Sequence, residues 1–377
     1  MSNHRALIVT HYWPPHVGGI ERVAFVQAVA LARRGWRVTV ATSRLAGDCA
    51  VEHEGAIVVR RYPCWNRAEE ALNVPVPLMG PAMFRDLVRL GSEADIIVAH
   101  GHAYIGSAYA AHAARKLRKP FVLIQHSPFI DYPFPLSAVE RLVDRTLGSY
   151  VIRAARRVVA VSTHTERFVQ SIAPKADTIV VRSGVDQDRF KPPPSRKREG
   201  GLPVILTVRR LVPRNGVDVL VRAWRREQLG DRAELVIAGD GPERSTIMGL
   251  AAGDASIALR GYVSDDELAD LYRNCDVFVL PSRSGECFGL VAAEAMATGL
   301  PVIATESGGI TDLVEDGVNG VLVPTNDSAS LGQAIRVLID DEGKRSRLSR
   351  GALDTASSLS WDRSLDQLED ILVSELT

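Results

Sequence analysis

Short aliphatic and β-branched runs alternate with stretches of helical periodicity along nearly the whole chain, and no other feature constrains the fold as much. Apolar runs at 6–10, 37–41, 57–60, 95–99, 121–124 and 158–161 are too short for helices. They lack the alternation of strands with one wet face. Helical patterns lie between them, as at 20–34, where Gly35 supplies a stop. Near-continuous apolar strands separated by helices predict parallel sheets covered on both faces. The alternation pauses at 191–201, where three prolines, charged residues and two glycines form a linker. It restarts with runs at 204–208, 235–238, 257–259, 277–280 and 302–304.

The expected fold class is therefore α/β, with two Rossmann-like domains at 1–190 and 202–355 facing each other across a cleft. A closing segment, 356–377, carries a helix around 361–376 with no strand after it. That helix is expected to cross back to the first domain. Open parallel sheets bind ligands at the carboxyl ends of their strands, so functional motifs should follow strands directly.

With 377 residues, 46% of them hydrophobic, the chain has material for two ordinary cores. Its net charge is zero but unevenly spread. Residues 1–170 carry 21 Lys+Arg against 13 Asp+Glu, and residues 171–377 carry 24 against 32. Two readings stay open: a basic half that attracts an anionic acceptor, a phospholipid surface or a phosphate-bearing carrier, or a difference of surface charge with no partner. Cys49, Cys64, Cys275 and Cys287 form no CxxC pair, which suits a reducing compartment. The run from Arg5 to Thr10 is too short for a secretory core, and no apolar run nears the roughly 20 residues that span a bilayer. A cytoplasmic protein is expected, with peripheral contact at the inner membrane face as an option.

Three segments carry candidate chemistry. Residues 14–21, Pro-Pro-His-Val-Gly-Gly-Ile-Glu, follow the first strand and open a helix. Their glycines let a ligand approach the backbone, and helix N-terminal amides favour phosphate; a ligand-free tight turn is the plainer alternative. Residues 208–216, Val-Arg-Arg-Leu-Val-Pro-Arg-Asn-Gly, follow the first strand of the second domain. Arginines there would place fixed charge where a diphosphate needs it, both to bind and to leave; a solvated basic loop is the alternative. Residues 282–296 follow another strand and carry Glu286 in a loop and Glu294 in the helix that opens at Phe288-Gly-Leu290. Carboxylates accept hydrogen bonds from sugar hydroxyls, while free helix amides suit a phosphate.

Taken together, these segments resemble the retaining glycosyltransferases of family 4, which have the GT-B fold. The likeness covers nearly the whole chain. It rests on the early Gly-Gly-x-Glu loop, Ser183-Gly-Val-Asp186, Arg210-Leu-Val-Pro-Arg before Asn215-Gly216, Gly239-Asp-Gly-Pro242, the Glu286/Glu294 pair and Gly308-Gly309. The resemblance implies that amides at Gly18 and Gly19 approach a donor diphosphate and that Arg210 pairs with its phosphates. It implies that Glu286 binds hydroxyls of the transferred sugar, and that amides at Phe288, Gly289 and Leu290 contact the sugar and distal phosphate. Glu294 would hold the ribose, Val263 would lie near the base, and His126 matches a histidine at the transferred sugar. One departure stands out: the family usually has lysine immediately before Gly216, and here it is Asn215. Arg214, or Arg209 where the family commonly has glycine, would have to supply the second charge.

Other patterns read as decoys. Asp186-Gln-Asp188 has metal-binding spacing but enters the linker and is read as structural. His100-Gly-His102 lacks a third ligand and is read as part of a loop near the acceptor. All nine histidines lie at or before His164, so no metal is expected. Gly239-Asp-Gly241 starts like a dinucleotide fingerprint, but its third glycine position is Arg244. Cys287 is expected to pack. The apolar stretch 73–84 either touches lipid, lines an acceptor pocket or leads, buried, into a helix. Asp265 is a candidate acceptor for a guanine.

The activity the resemblance implies is metal-independent transfer of a sugar, with retention, from a UDP- or GDP-linked donor to a hydroxyl of an acceptor sugar, lipid-linked glycan or small molecule. No other cofactor and no nucleic-acid partner are expected. A phosphorylase or epimerase using the same cleft, or a nucleotide-sugar-binding protein without turnover, are the rival readings.

Overall fold

The computed structural model describes residues 4–16, 18–67, 69, 76–127, 135–193 and 201–377. The chain divides into two compact units, Met1–Arg182 with Asp362–Thr377, and Ser183–Trp361.

The first unit holds strands β1 (Arg5–Val9), β2 (Arg37–Arg44), β3 (Val51–Glu54), β4 (Ile57–Trp65), β5 (Leu78–Met79), β6 (Ile96–His100), β7 (Phe121–Gln125), β8 (Arg157–Ala160) and β9 (Thr178–Val180). Their order is β3-β4-β2-β1-β6-β7-β8-β9, with β5 beside β4. Only β3 and β5 run antiparallel to their neighbour. Strand pleating sorts the side chains. Ala6 and Ile8 pack with Ala24, Ala28 and Leu31 of the helix Gly19–Arg33. Leu7 and Val9 pack on the other face with Met83, Leu87 and Ala110. Burial on both faces is why these strands read as continuous apolar runs rather than alternating ones.

The terminal helix, Trp361–Ser374, lays Leu368 and Leu372 onto the face that holds Ala6 and Ile8. Glu369 anchors it by accepting from Arg34 at 2.8 Å and from the buried Trp36 indole at 2.8 Å. Trp36→Phe removes one of these bonds and leaves Arg34 paired. A loss of about 1–2 kcal/mol is expected, read as a lower urea midpoint with an unchanged slope.

The second unit contains β10 (Val204–Val208), β11 (Glu234–Ala238), β12 (Ile257–Gly261), β13 (Val277–Leu280), β14 (Val302–Thr305) and β15 (Gly320–Val323). All are parallel, in the order β12-β11-β10-β13-β14-β15. Trp224, fully buried in its core, donates to Ser256 Oγ at 3.0 Å.

Two differences from the sequence reading have physical causes. Strands β3, β5, β9 and β15 went unread because they are short edge or flanking strands. Val51-Glu-His-Glu54, for instance, is polar and largely solvated. The unit boundary falls at Arg182/Ser183, before the residue 190 limit expected, because 183–190 packs into the second unit. Val185 N donates to Leu359 O at 2.8 Å, Arg189 pairs with Asp265 at 3.0 Å, and Phe190 meets Tyr272 edge-on. Most of the proline-rich linker, 194–200, lies outside the described residues, as do 73–75 of the apolar stretch.

Candidate active site

The parallel strands of each sheet reverse their order once, between β1 and β6 in the first unit and between β10 and β13 in the second. Such reversals open a crevice at the strands' carboxyl ends. Both are lined with polar groups.

In the second unit, Arg209 is the first residue beyond β10, and its guanidinium organises the loop. Nη1 donates to Glu286 Oε2 at 2.7 Å and Nη2 to Asn215 Oδ1 at 2.6 Å. Asn215 is turned by its own amide, which donates to Arg210 O at 2.6 Å. Ser282 Oγ donates to the same Glu286 oxygen at 3.0 Å. Glycines permit this crowding. A Cβ on Gly239 would lie 1.8 Å from Arg209 O, and one on Gly308, 2.1 Å from Glu286 O; both have positive φ. Gly309 N donates to Glu286 O at 2.8 Å, so the carboxylate loop is held from behind.

Glu294 lies in the second turn of the helix Leu290–Ala297, buried, and accepts from Tyr272 Oη at 3.2 Å. Gly289 caps that helix at φ 90°, and the Phe288 side chain is buried beneath it. Arg210 is exposed at the sheet edge, while Arg214 O accepts from Arg283 N at 2.8 Å. Val263 follows β12, beside the 65% exposed Tyr262. Asp265, considered for a guanine contact, is ion-paired with Arg189. Asp186 accepts from Arg189 N at 3.1 Å, closing a turn.

In the first unit, three histidines sit at the carboxyl ends of adjacent strands: His11 after β1, His100 ending β6 and His126 after β7. All three are buried. His100 Nδ1 and His126 Nε2 share a hydrogen bond of 2.9 Å, and Tyr104 stacks on His11 at 3.9 Å. Burial drives His11 down to about 4 and His126 down to about 3, and lowers His100 well below its ordinary range. They are neutral imidazoles near pH 7. His102 turns elsewhere, to Asp144 at 2.8 Å and Gln125 at 2.8 Å, so the His100/His102 spacing makes no pair.

Gly18 precedes the helix Gly19–Arg33 and lies against the Glu21 carboxylate, 2.2 Å from where a Cβ would sit. Glu21 is buried between His11 at 3.4 Å and His16 at 3.2 Å. Burial opposes charge on His16, but Glu21 and Glu69 outweigh it and hold that ring above its ordinary pKa. Tyr12 donates to Glu69, and its hydroxyl also lies against Asn66 Oδ1. This cluster was missed in the sequence. Its one local signal is the spacing of His11, His16 and Glu21 directly after the first strand. Among the described residues, no group of three or more His, Cys, Asp or Glu side chains is placed to hold a metal ion. No helix among them is long and apolar enough to cross a membrane.

The chain matches the family described as glycosyltransferase family 4 over residues 17–189, and glycosyl transferases group 1 over residues 188–354. It is 31% identical to a GDP-mannose-dependent alpha-(1-6)-phosphatidylinositol monomannoside mannosyltransferase of Mycobacterium tuberculosis, with 98% of each chain covered. A D-inositol 3-phosphate glycosyltransferase of Xylanimonas cellulosilytica is 34% identical over 73% of this chain and 71% of the relative. In fold it matches the sucrose-phosphate synthase of Thermosynechococcus elongatus, at TM-score 0.78 and 21% identity over 99% of both chains. It likewise matches Anabaena HepE, solved in complex with UDP, at TM-score 0.78 and 23% identity over 98% of this chain and all of that one. With two α/β units built on largely parallel sheets, a sequence match along nearly its whole length and these fold neighbours, the chain belongs to the group 1, family 4 glycosyltransferases of the GT-B fold.

Proposed function

We propose that this glycosyltransferase moves a hexose, with retention, from a UDP- or GDP-linked donor to a hydroxyl of a phosphorylated or lipid-linked acceptor. The observation that carries this reading is the cluster of Arg209, Asn215 and Glu286 at the strand-order reversal of the second sheet, beside the helix that begins at Leu290. Fixed cations there suit a diphosphate, and Glu286 offers a carboxylate to sugar hydroxyls. Glu294 is assigned to the ribose, and the loop at Val263 to the base. Amides of Phe288, Gly289 and Leu290 are assigned to the sugar and distal phosphate. Gly18 and Gly19 offer backbone to the diphosphate.

In the reaction, the bond from the anomeric carbon to the diphosphate oxygen breaks as charge develops on the phosphate. Arg210 and the helix amides stabilise that charge. The acceptor hydroxyl attacks from the same face, and its proton passes to the departing phosphate. No side chain need act as general base. Neutral His126 orients the transferred sugar rather than attacking it. The relatives named for GDP-mannose and for inositol-bearing acceptors support this class of substrate, as does the excess of basic residues before residue 170. A lipid-linked acceptor would bring the protein to the inner membrane face.

A thermal-shift panel of GDP-mannose, UDP-glucose, ADP-glucose and dTDP-glucose tests donor class. Saturation at a hundred times Kd adds about 2.7 kcal/mol to the folded state, and GDP- or UDP-sugars are expected to raise the midpoint. Transfer to D-inositol 3-phosphate, with product stereochemistry read by NMR, tests the reaction. Free sugar phosphate or an inverted linkage would count against it.

A further inference from the structure

The resemblance to family 4 sets a glycine at residue 209 and a lysine at residue 215, and this chain has Arg209 and Asn215 there. The two departures meet in space. Arg209 is rooted at the end of β10, where its N donates to Ala238 O at 2.9 Å and its carbonyl is pressed against Gly239. Its side chain is only 11% exposed. The guanidinium lies 2.6 Å from the Asn215 oxygen, beside the residue from which the family's lysine would extend. Asn215 is matched to it. An amide has one accepting end, and with its nitrogen donating to Arg210 O that end faces the cation. Lysine at 215 would instead set an ammonium against the guanidinium. Arg209 Nε is buried without a hydrogen-bond partner among the described residues. Glu286 spends one oxygen, Oε2, on Arg209 and Ser282.

We infer that the second diphosphate-binding charge has been transposed from residue 215 to Arg209, with Asn215 as the residue that positions it. The inference rests on the donor-site reading above. It selects Arg209 over Arg214 as the compensating cation and makes the two substitutions one coupled unit. Guanidinium geometry also differs from ammonium: a planar fork can hold Glu286 and a phosphate oxygen at once, which a single ammonium does less well.

The test compares binding of GDP with GMP, and of UDP with UMP, by calorimetry at fixed ionic strength. Each pair differs by one phosphate, so the affinity ratio isolates the grip on the second. Arg209→Gly is expected to cut the diphosphate preference at least about tenfold while leaving monophosphate affinity within about threefold. Asn215→Ala is expected to reduce the same ratio by a smaller factor, although every arginine is retained. Asn215→Lys alone is expected to weaken diphosphate binding, and Arg209→Gly with Asn215→Lys together to restore it to within about threefold of the parent. The double variant also covers the case in which Arg209→Gly, which leaves Glu286 without the Arg209 cation, fails to fold. An unchanged preference in Arg209→Gly, or tighter diphosphate binding in Asn215→Lys with Arg209 present, would overturn the transposition and leave the donor site standing. If the parent protein binds neither GDP nor UDP, the donor-site reading falls and the transposition with it.

Discussion

Glu286→Ala is expected to lower kcat/KM for sugar transfer at least about a hundredfold, equivalent to about 2.7 kcal/mol of transition-state stabilisation. Two losses combine. The variant deletes the carboxylate assigned to the sugar hydroxyls. It also removes the anionic partner of Arg209, leaving a largely buried guanidinium held only by Asn215 among the bonds described above. Removing one member of such a pair costs more than the pair contributes, because the remaining charge is uncompensated. Glu286→Gln keeps the shape and one acceptor oxygen, so its activity should fall between alanine and parent. Steady-state kinetics on the preferred donor, with GDP or UDP binding measured in parallel, separates a lost sugar contact from a lost fold. Transfer by Glu286→Ala at near-parental rate, with donor binding intact, would remove Glu286 from its assigned role.

The buried histidines predict a second large effect, on stability against pH. In the unfolded chain each histidine titrates near 6.5, whereas His11 is held down to about 4 and His126 down to about 3. Below pH 6.5 the unfolded state therefore binds more protons. The stability these neutral rings contribute is complete above that pH and is lost as pH falls towards the folded values. Each ring contributes up to about 1.4 kcal/mol of loss per pH unit in that window, and His100 adds to it in the same direction. His16 acts oppositely: its raised pKa adds stability in acid that is lost as pH rises through the folded value. The net expectation is a urea midpoint for the first unit that drops steeply between pH 6.5 and 4.5. His126→Asn, neutral at every pH, should flatten that slope by about 1.4 kcal/mol per unit. An equal slope in parent and variant would show that His126 is not the neutral buried ring described here.

Much of the architecture was legible because it depends on local periodicity. A strand buried on both faces must be apolar at successive positions, as Leu7, Ile8 and Val9 are, and the helices between must show a 3.6-residue repeat. Edge strands such as Val51–Glu54 escaped because solvent takes the place of a second apolar layer. The unit boundary escaped because 183–190, though it precedes the prolines, is held by partners as distant as Leu359 and Tyr272.

The Gly-Gly loop, the arginines after β10 and the Glu286/Glu294 spacing were legible in the sequence because each is a short motif placed directly after a strand. What those residues do to one another was decided in three dimensions. Arg209 and Glu286 are 77 positions apart and His100 and His126 are 26 apart, and neither spacing implies a hydrogen bond. Parallel strands bring their carboxyl ends to one edge whatever the length of chain between them. The sequence by itself therefore determined which chemical groups reach each edge. Tertiary packing alone decided that the Arg209 cation faces Asn215 and Glu286, and that the histidines lie deep enough to stay neutral.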